Sequence, residues 1–297
     1  MSPPEDDTAD HYYRSADGLT LYCRIYPARR GGGVPALCLP GLTRNSRDFA
    51  ALARHLQAER PVLAADLRGR GLSAWDPDPS HYQLLKYVDD MWTLLDSRGI
   101  ERVVVVGTSL GALMGMVMAA TRPQRIAGVV LNDAGPEFDP RGIARIAGYA
   151  GKLPPVSSWP QAAAQAKSVH EAAVPGLTDA QWLEFARRTY RENAQGVPVP
   201  DMDPRIADAF RNPSTAPASM WPLYAQIKNV PLLVIRGALS DLLSAATVER
   251  MAREKPGTET VTVPNRGHTP LLDELECIAA IDGFLTRVGS ETQRGRA

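Results

Sequence analysis

Hydrophobic positions follow two alternating rhythms along the chain. Short, unbroken apolar runs bounded by turn residues, PALCLPG, PVLAADLRG, RVVVVG, IAGVVLND and VPLLVIRG, read as strands covered on both faces, the mark of a parallel sheet. Between them lie segments of helical period, such as Leu84, Val88, Met91, Trp92 and Leu95, which share one face. The stretch HYYRSADGLTLYCRIYP instead alternates apolar and polar residues on both sides of Asp17-Gly18, a dipeptide that tolerates positive φ, and predicts an antiparallel edge hairpin. A last strand, ETVTVPN, and an amphipathic helix from about Pro270 to Arg287 close the pattern, leaving the polar tail GSETQRGRA as a frayed end. The order βαβα predicts an α/β fold with a mostly parallel sheet flanked by helices.

The alternation breaks from about Gly135 to Lys228, where Pro, Ala, Trp and Tyr dominate helical-looking pieces such as DAQWLEFARRTYREN. Residues 135–228 therefore read as a helical cap inserted into a core made of 1–134 and 229–297. Val103 to Thr121 is uncharged and long enough to span a bilayer, with Gly107, Gly111 and Gly115 at GxxxG spacing. Four valines, then Gly-Thr-Ser, then a Leu/Ala/Met stretch divide it better into strand, turn and helix.

Charge narrows the partners. The 297 residues carry 33 Lys+Arg and 33 Asp+Glu, so there is no general attraction for nucleic acid or an anionic membrane, and a small-molecule ligand is expected. Cys23, Cys38 and Cys277 are odd in number and lack metal-ligand spacing, which argues against a disulfide framework or a zinc site. The N-terminus MSPPEDDTAD is acidic where a secretory signal would be basic and then apolar, and a cytoplasmic location is expected.

Chemistry is sought where apolar runs end, because open α/β sheets collect ligands beyond the carboxyl ends of their strands. After RVVVV stands Gly107-Thr108-Ser109-Leu110-Gly111, a GxSxG between a strand and a helix, the setting of a nucleophile elbow. A serine needs a base. Of five histidines, His11, His55, His81 and His170 read as solvated or satisfied, whereas His268, in NRGHTP after the final strand, can return over the sheet. Asp241, in RGALSDLL after VPLLVIRG, is the expected acid; Asp133, in LND after IAGVV, emerges at the same edge one strand earlier and is the alternative.

Together with Asp66-Leu67-Arg68-Gly69-Arg70-Gly71-Leu72-Ser73, similar to a DxRGxGxS segment, these motifs resemble the α/β-hydrolase superfamily over nearly the whole chain, specifically its cap-bearing serine hydrolases. The resemblance implies an eight-stranded, mostly parallel sheet, a Ser-Asp-His triad and an oxyanion hole made by the backbone N–H groups of Leu42 and Leu110. Pro40 stands where many relatives carry histidine, and Arg44 and Asn45 follow as candidates for substrate contact. Serine at the elbow argues against dehalogenase and epoxide hydrolase chemistry, which uses aspartate there, and Ala112 weakens a carbon–carbon bond hydrolase of ring-cleavage products. The expected activity is hydrolysis of a small-to-medium ester or lactone through an acyl-enzyme, without metal or organic cofactor. The alternatives are the carbon–carbon hydrolase and a slow-turnover ligand receptor on the same fold. Tyr149, Trp159, Trp182, Phe185 and Trp221 are the aromatic residues expected in the cap, with Trp159 and Trp221 as pocket candidates.

Overall fold

The computed structural model describes residues 7–210 and 219–294. It begins with β1 (Ala9–Arg14), β2 (Thr20–Tyr26), β3 (Ala36–Leu39), α1 (Ala50–Leu56), β4 (Val62–Asp66), α2 (Leu84–Ser97), β5 (Val103–Thr108), α3 (Leu110–Thr121) and β6 (Ile126–Asn132). The middle of the chain supplies α4 (Pro140–Tyr149), α5 (Trp159–His170), α6 (Asp179–Thr189), the short strands β7 (Tyr190–Glu192) and β8 (Pro198–Pro200), and the single turn α7 (Trp221–Tyr224). Strand β9 (Leu232–Gly237), α8 (Ala245–Glu254), β10 (Glu259–Val263) and α9 (Leu275–Arg294) complete it.

Eight strands form one sheet in the order β1-β2-β4-β3-β5-β6-β9-β10. The edge hairpin β1–β2 is antiparallel, β2 runs antiparallel to β4, and the other pairs are parallel. The edge hairpin forms as the sequence predicts, but its turn is not the expected two-residue Asp17-Gly18 one: the Gly18 N–H donates to Ser15 O at 2.9 Å, so Ala16 and Asp17 are central, and Gly18 follows with φ 84. From β3 the chain moves outward to β4 and then returns to the other side of β3 with β5. That reversal opens a crevice beyond the ends of β3 and β5.

The unbroken apolar runs are explained by the pleat, which sends successive side chains to opposite faces. In β5, Val103 and Val105 join one core with α2 and α3, while Val104 and Val106 join the other with α1 and α9. Leu37 and Leu39 of β3 likewise face the first core, and Ala36 and Cys38 the second. All three cysteines are buried and free. The Val103–Thr121 window divides into β5 and α3, and among the described residues no helix is long and apolar enough to cross a membrane.

Two expectations change. Helix α9 continues to Arg294, so most of the tail read as frayed is helical, and residues 295–297 lie outside the described residues. The stretch 135–228 also does not pack as one body. Trp182, Phe185 and Tyr190 form a separate cluster with the α5 alanines, whereas Met202, Ile206, Trp221 and Tyr224 are buried in the α2/α3 core.

Candidate active site

Ser109 sits between β5 and α3 with φ 52 and ψ −111, a backbone conformation that an L-residue holds only when its surroundings enforce it. Two close approaches supply the enforcement. A Cβ on Gly107 would lie 2.2 Å from Gly111 O, and one on Gly111 would lie 2.0 Å from Leu39 O. Only glycine permits α3 to start this near β3 and β5, and the serine is thereby pushed out beyond the sheet. Its own N–H donates to Asn132 O at 2.9 Å, tying the turn to the end of β6.

His268 comes from the loop between β10 and α9 and is nearly enclosed, with 9% of its surface exposed. Its Nε2 is 2.9 Å from Ser109 Oγ and its Nδ1 is 2.8 Å from Asp133 Oδ2. Asp133 has φ 54 and is fully buried at the end of β6. Its Oδ1 accepts from Gly237 N–H at 2.8 Å, and its Oδ2 also accepts from the Ser240 hydroxyl at 2.6 Å. A carboxylate can only accept, so Nδ1 carries the ring proton and Nε2 is left to accept from Ser109.

The acid expected at the histidine was Asp241, and the geometry corrects this to Asp133. After β9 the chain turns so that Ser240 faces Asp133, its oxygen accepting from the N–H groups of Leu242 and Leu243 at 3.2 and 3.0 Å. Asp241, the next residue, points the other way and pairs with Arg145 of α4, accepting at 2.5 Å from Nε and 2.8 Å from Nη2. The Arg145 bonds, with its charge, hold the Asp241 carboxyl below the usual range.

The loop after β3 brings Gly41 and Leu42 against the serine, with a Gly41 Cβ position 3.7 Å from Ser109 Cβ. The Leu42 N–H has no acceptor among the backbone groups of the described residues, and that of Leu110 opens α3, where no intrahelical acceptor exists. The Leu42 carbonyl accepts from Arg70 Nε at 2.6 Å. Arg70 is fully buried and also donates to Arg68 O at 2.7 Å and the Tyr87 hydroxyl at 3.1 Å. Its neighbour Arg68, equally buried, is held by Asp90 at 2.7 and 2.6 Å and by Asp76 and Asp17. Asp66 completes the DLRGRGLS segment by accepting from Ser46 N–H at 2.6 Å and Leu72 N–H at 2.8 Å.

A cavity of about 610 Å³, including its open mouth, lies over Ser109 and His268. Its wall includes Leu42, Thr43 and Arg44 from the loop after β3 and Ile146, Tyr149, His170, Val174 and Phe185 from the stretch 135–228. Arg44 lines the cavity. Asn45 does not line it: the buried side chain caps the 3₁₀ turn Ser46–Phe49 and donates to Arg188 O at 2.9 Å. Neither Trp159 nor Trp221 lines it either, because their indole N–H groups are held at Glu192 (2.7 Å) and Glu137 (2.9 Å), with Arg187 and Arg250 stacked on the rings.

Sequence reasoning passed over His170, which closes α5 and packs its ring 5.5 Å from Tyr149 and 5.1 Å from Phe185. Burial, reinforced by the charges of Arg44 and Arg145, lowers its pKa to about 3, so the ring is neutral at physiological pH. Its place beside Glu171 in the chain carried no hint of this. One group among the described residues, Asp17, Asp76 and His81, has ligand atoms close enough for a metal. Arg68 and Lys86 already reach its carboxylates, and none of the three lines the cavity.

Comparison with known proteins agrees with the fold. A family model described as the alpha/beta hydrolase fold matches residues 35–275. A 3-hydroxybutyrate-oligomer hydrolase from Cupriavidus necator is 32% identical over 259 residues, covering 84% of this chain and 87% of the relative. A 2-(acetamidomethylene)succinate hydrolase from Mesorhizobium japonicum is 28% identical over 276 residues, 90% of this chain and 93% of the relative. The crystal structure of an α/β hydrolase from Novosphingobium aromaticivorans superimposes with a TM-score of 0.89 at 44% identity, covering 95% of this chain and 99% of that one.

Proposed function

Because the chain belongs to the α/β-hydrolase family, we propose that it is a serine hydrolase that cleaves carboxylic esters or lactones through an acyl-enzyme on Ser109. The observation that carries this reading is the relay Ser109 Oγ, His268, Asp133, at 2.9 and 2.8 Å, opening into a cavity beside the Leu42 and Leu110 amides, which have no backbone acceptor among the described residues. His268 Nε2 accepts the hydroxyl proton as Ser109 Oγ bonds to the substrate carbonyl carbon, whose π electrons move onto oxygen. The Leu42 and Leu110 N–H groups donate to that oxyanion. Collapse of the intermediate breaks the ester C–O bond, and His268 passes the proton to the departing alkoxide. Water then repeats the sequence on the acyl-enzyme, releasing the acid and restoring the serine. Asp133 fixes the tautomer and balances the imidazolium in both halves.

An ester substrate is favoured by the likeness to the 3-hydroxybutyrate-oligomer hydrolase, an enzyme whose name describes an oligoester of a short hydroxy acid. The test pairs a fluorophosphonate probe with 4-nitrophenyl esters and lactones of graded length. Rapid labelling with repeated turnover, both abolished in Ser109→Ala, is the expected result. A variant still labelled at the native rate would move the nucleophile elsewhere, and one slow turnover per chain would point to a receptor.

A further inference from the structure

We propose that Arg44 is a specificity residue that binds a carboxylate of the substrate, making carboxylate-bearing esters the preferred class; this rests on the serine hydrolase reading. Arg44 follows the loop of Leu42, and its Cγ and the Ser109 Cβ each lie 3.7 Å from the point where a Gly41 side chain would begin. The guanidinium is held rather than free. Its Nε and Nη2 donate to Asp48 at 2.6 Å each, Nη1 donates to Thr189 Oγ1, and the plane lies 4.3 Å over the Phe185 ring. A guanidinium has five N–H bonds, so two remain for a ligand, on a group whose orientation is already fixed.

Arg44 is the cation that lines the cavity. Asp48 faces two cations, because Arg188 Nε lies 3.8 Å from the oxygen that Arg44 also uses. Asp48 is thus shared between two guanidiniums, of which Arg188 also interacts with the Asp273 carboxylate. Arg145, the other arginine near this wall, is matched by Asp241. His170 is neutral and adds no competing charge, while its ring nitrogens can still exchange hydrogen bonds with a polar ligand. Around these groups Ile146, Val174, Phe185 and Leu271 give an apolar lining, in which the two N–H bonds that Arg44 has left attract an anionic acceptor more strongly than they would in water. The planar, singly charged acceptor that suits a guanidinium edge is a carboxylate.

The experiment compares matched esters that differ only in that charge. Mono-4-nitrophenyl glutarate is set against its methyl ester, placing the acid on the acyl side. 3-(Butanoyloxy)butanoate is set against its methyl ester, placing it on the leaving group. In at least one pair kcat/KM for the acid should exceed that for the blocked ester by about tenfold or more, the effect of one charged hydrogen-bonded contact. Arg44→Met should reduce that ratio by about the same factor, and Arg44→Lys should restore part of it. As a readout independent of turnover, glutarate should slow fluorophosphonate labelling of the native protein at lower concentration than dimethyl glutarate. Native ratios near one in both pairs with no difference in protection, or a ratio unchanged in Arg44→Met, would overturn the proposal. Should Arg44→Met fail to fold, the native pairs and Arg44→Lys decide it. Failure of the probe to label Ser109 at all would instead defeat the serine hydrolase reading.

Discussion

Replacing Asp133 by asparagine separates the two candidate acids with the smallest change in shape. The carboxylate accepts from Gly237 N–H on one oxygen and from Ser240 and His268 on the other. An asparagine amide has one acceptor and one donor end. Turning its NH₂ toward Gly237 would set two donors face to face at 2.8 Å in a buried site, at a cost of about 1–3 kcal/mol. The oxygen therefore stays on Gly237 and the NH₂ faces His268 Nδ1. That orientation stabilises the tautomer with its proton on Nε2, where it meets Ser109 Oγ and cannot take the hydroxyl proton. With the counter-charge also lost, kcat should fall about ten-thousandfold, equivalent to roughly 5 kcal/mol in the barrier. Asp241→Asn removes only a half-exposed pairing with Arg145, worth at most about 1 kcal/mol of stability, and kcat should stay within about threefold. Steady-state hydrolysis of 4-nitrophenyl butyrate, with melting curves to verify folding, measures both. Near-native turnover in a folded Asp133→Asn, or a larger loss in Asp241→Asn, would refute the assignment.

Three further outcomes follow from the same contacts. Gly111→Ala must fit a methyl 2.0 Å from Leu39 O, so it should destabilise the protein by about 3 kcal/mol in urea denaturation; a melting curve within a degree of native would contradict the enforced elbow. His170 is depressed to about 3 against an unfolded value of about 6.5, so between these limits the unfolded chain holds the extra proton and stability falls as pH drops. His170→Phe should flatten that acid-side dependence by up to about 1.4 kcal/mol per pH unit, read from urea midpoints between pH 4 and 7, and an unchanged slope would mean the ring is not held neutral. Arg68→Met strands the carboxylates of Asp90 and Asp76 in the interior and should cost about 3–5 kcal/mol, whereas Arg24→Met, on the surface pair with Asp10, should cost less than about 1 kcal/mol.

The sheet was legible because strands apolar on both faces leave few alternatives, and Ser109 and His268 because each sits in a motif at a strand end. The acid was ambiguous for a physical reason. Asp133 and Asp241 both follow strands that end at the same edge, and what separates them is the turn Gly237–Ser240, closed by the Ser240 N–H on Gly237 O at 2.9 Å, after which Ser240 meets Asp133 and Asp241 meets Arg145. No property of RGALSD taken alone encodes that direction; it depends on Arg145, nearly a hundred positions earlier, offering Asp241 a partner. The aromatic residues divided for a similar reason. Tyr149 and Phe185 reach the cavity while Trp159 and Trp221 are held at Glu192 and Glu137, and Trp182, one turn before Phe185 on α6, is buried against the α5 alanines; helical spacing alone does not separate these outcomes.

Asp133 is a meeting point for chain segments that are remote in sequence. The contacts with Gly237, Ser240 and His268 span 104, 107 and 135 residues, and the histidine reaches Ser109 across 159. Contacts of such separation repay their loop-closure entropy only once the strands between them have docked. Ser109 leaves the ribosome long before His268, and it gains a base only when β6, β9 and β10 stand in register. A nascent or partly unfolded chain consequently carries an ordinary alcohol at this position. On the proposed mechanism, reactivity at Ser109 should appear together with the native sheet and disappear with it, so covalent labelling of Ser109 would count completely folded molecules.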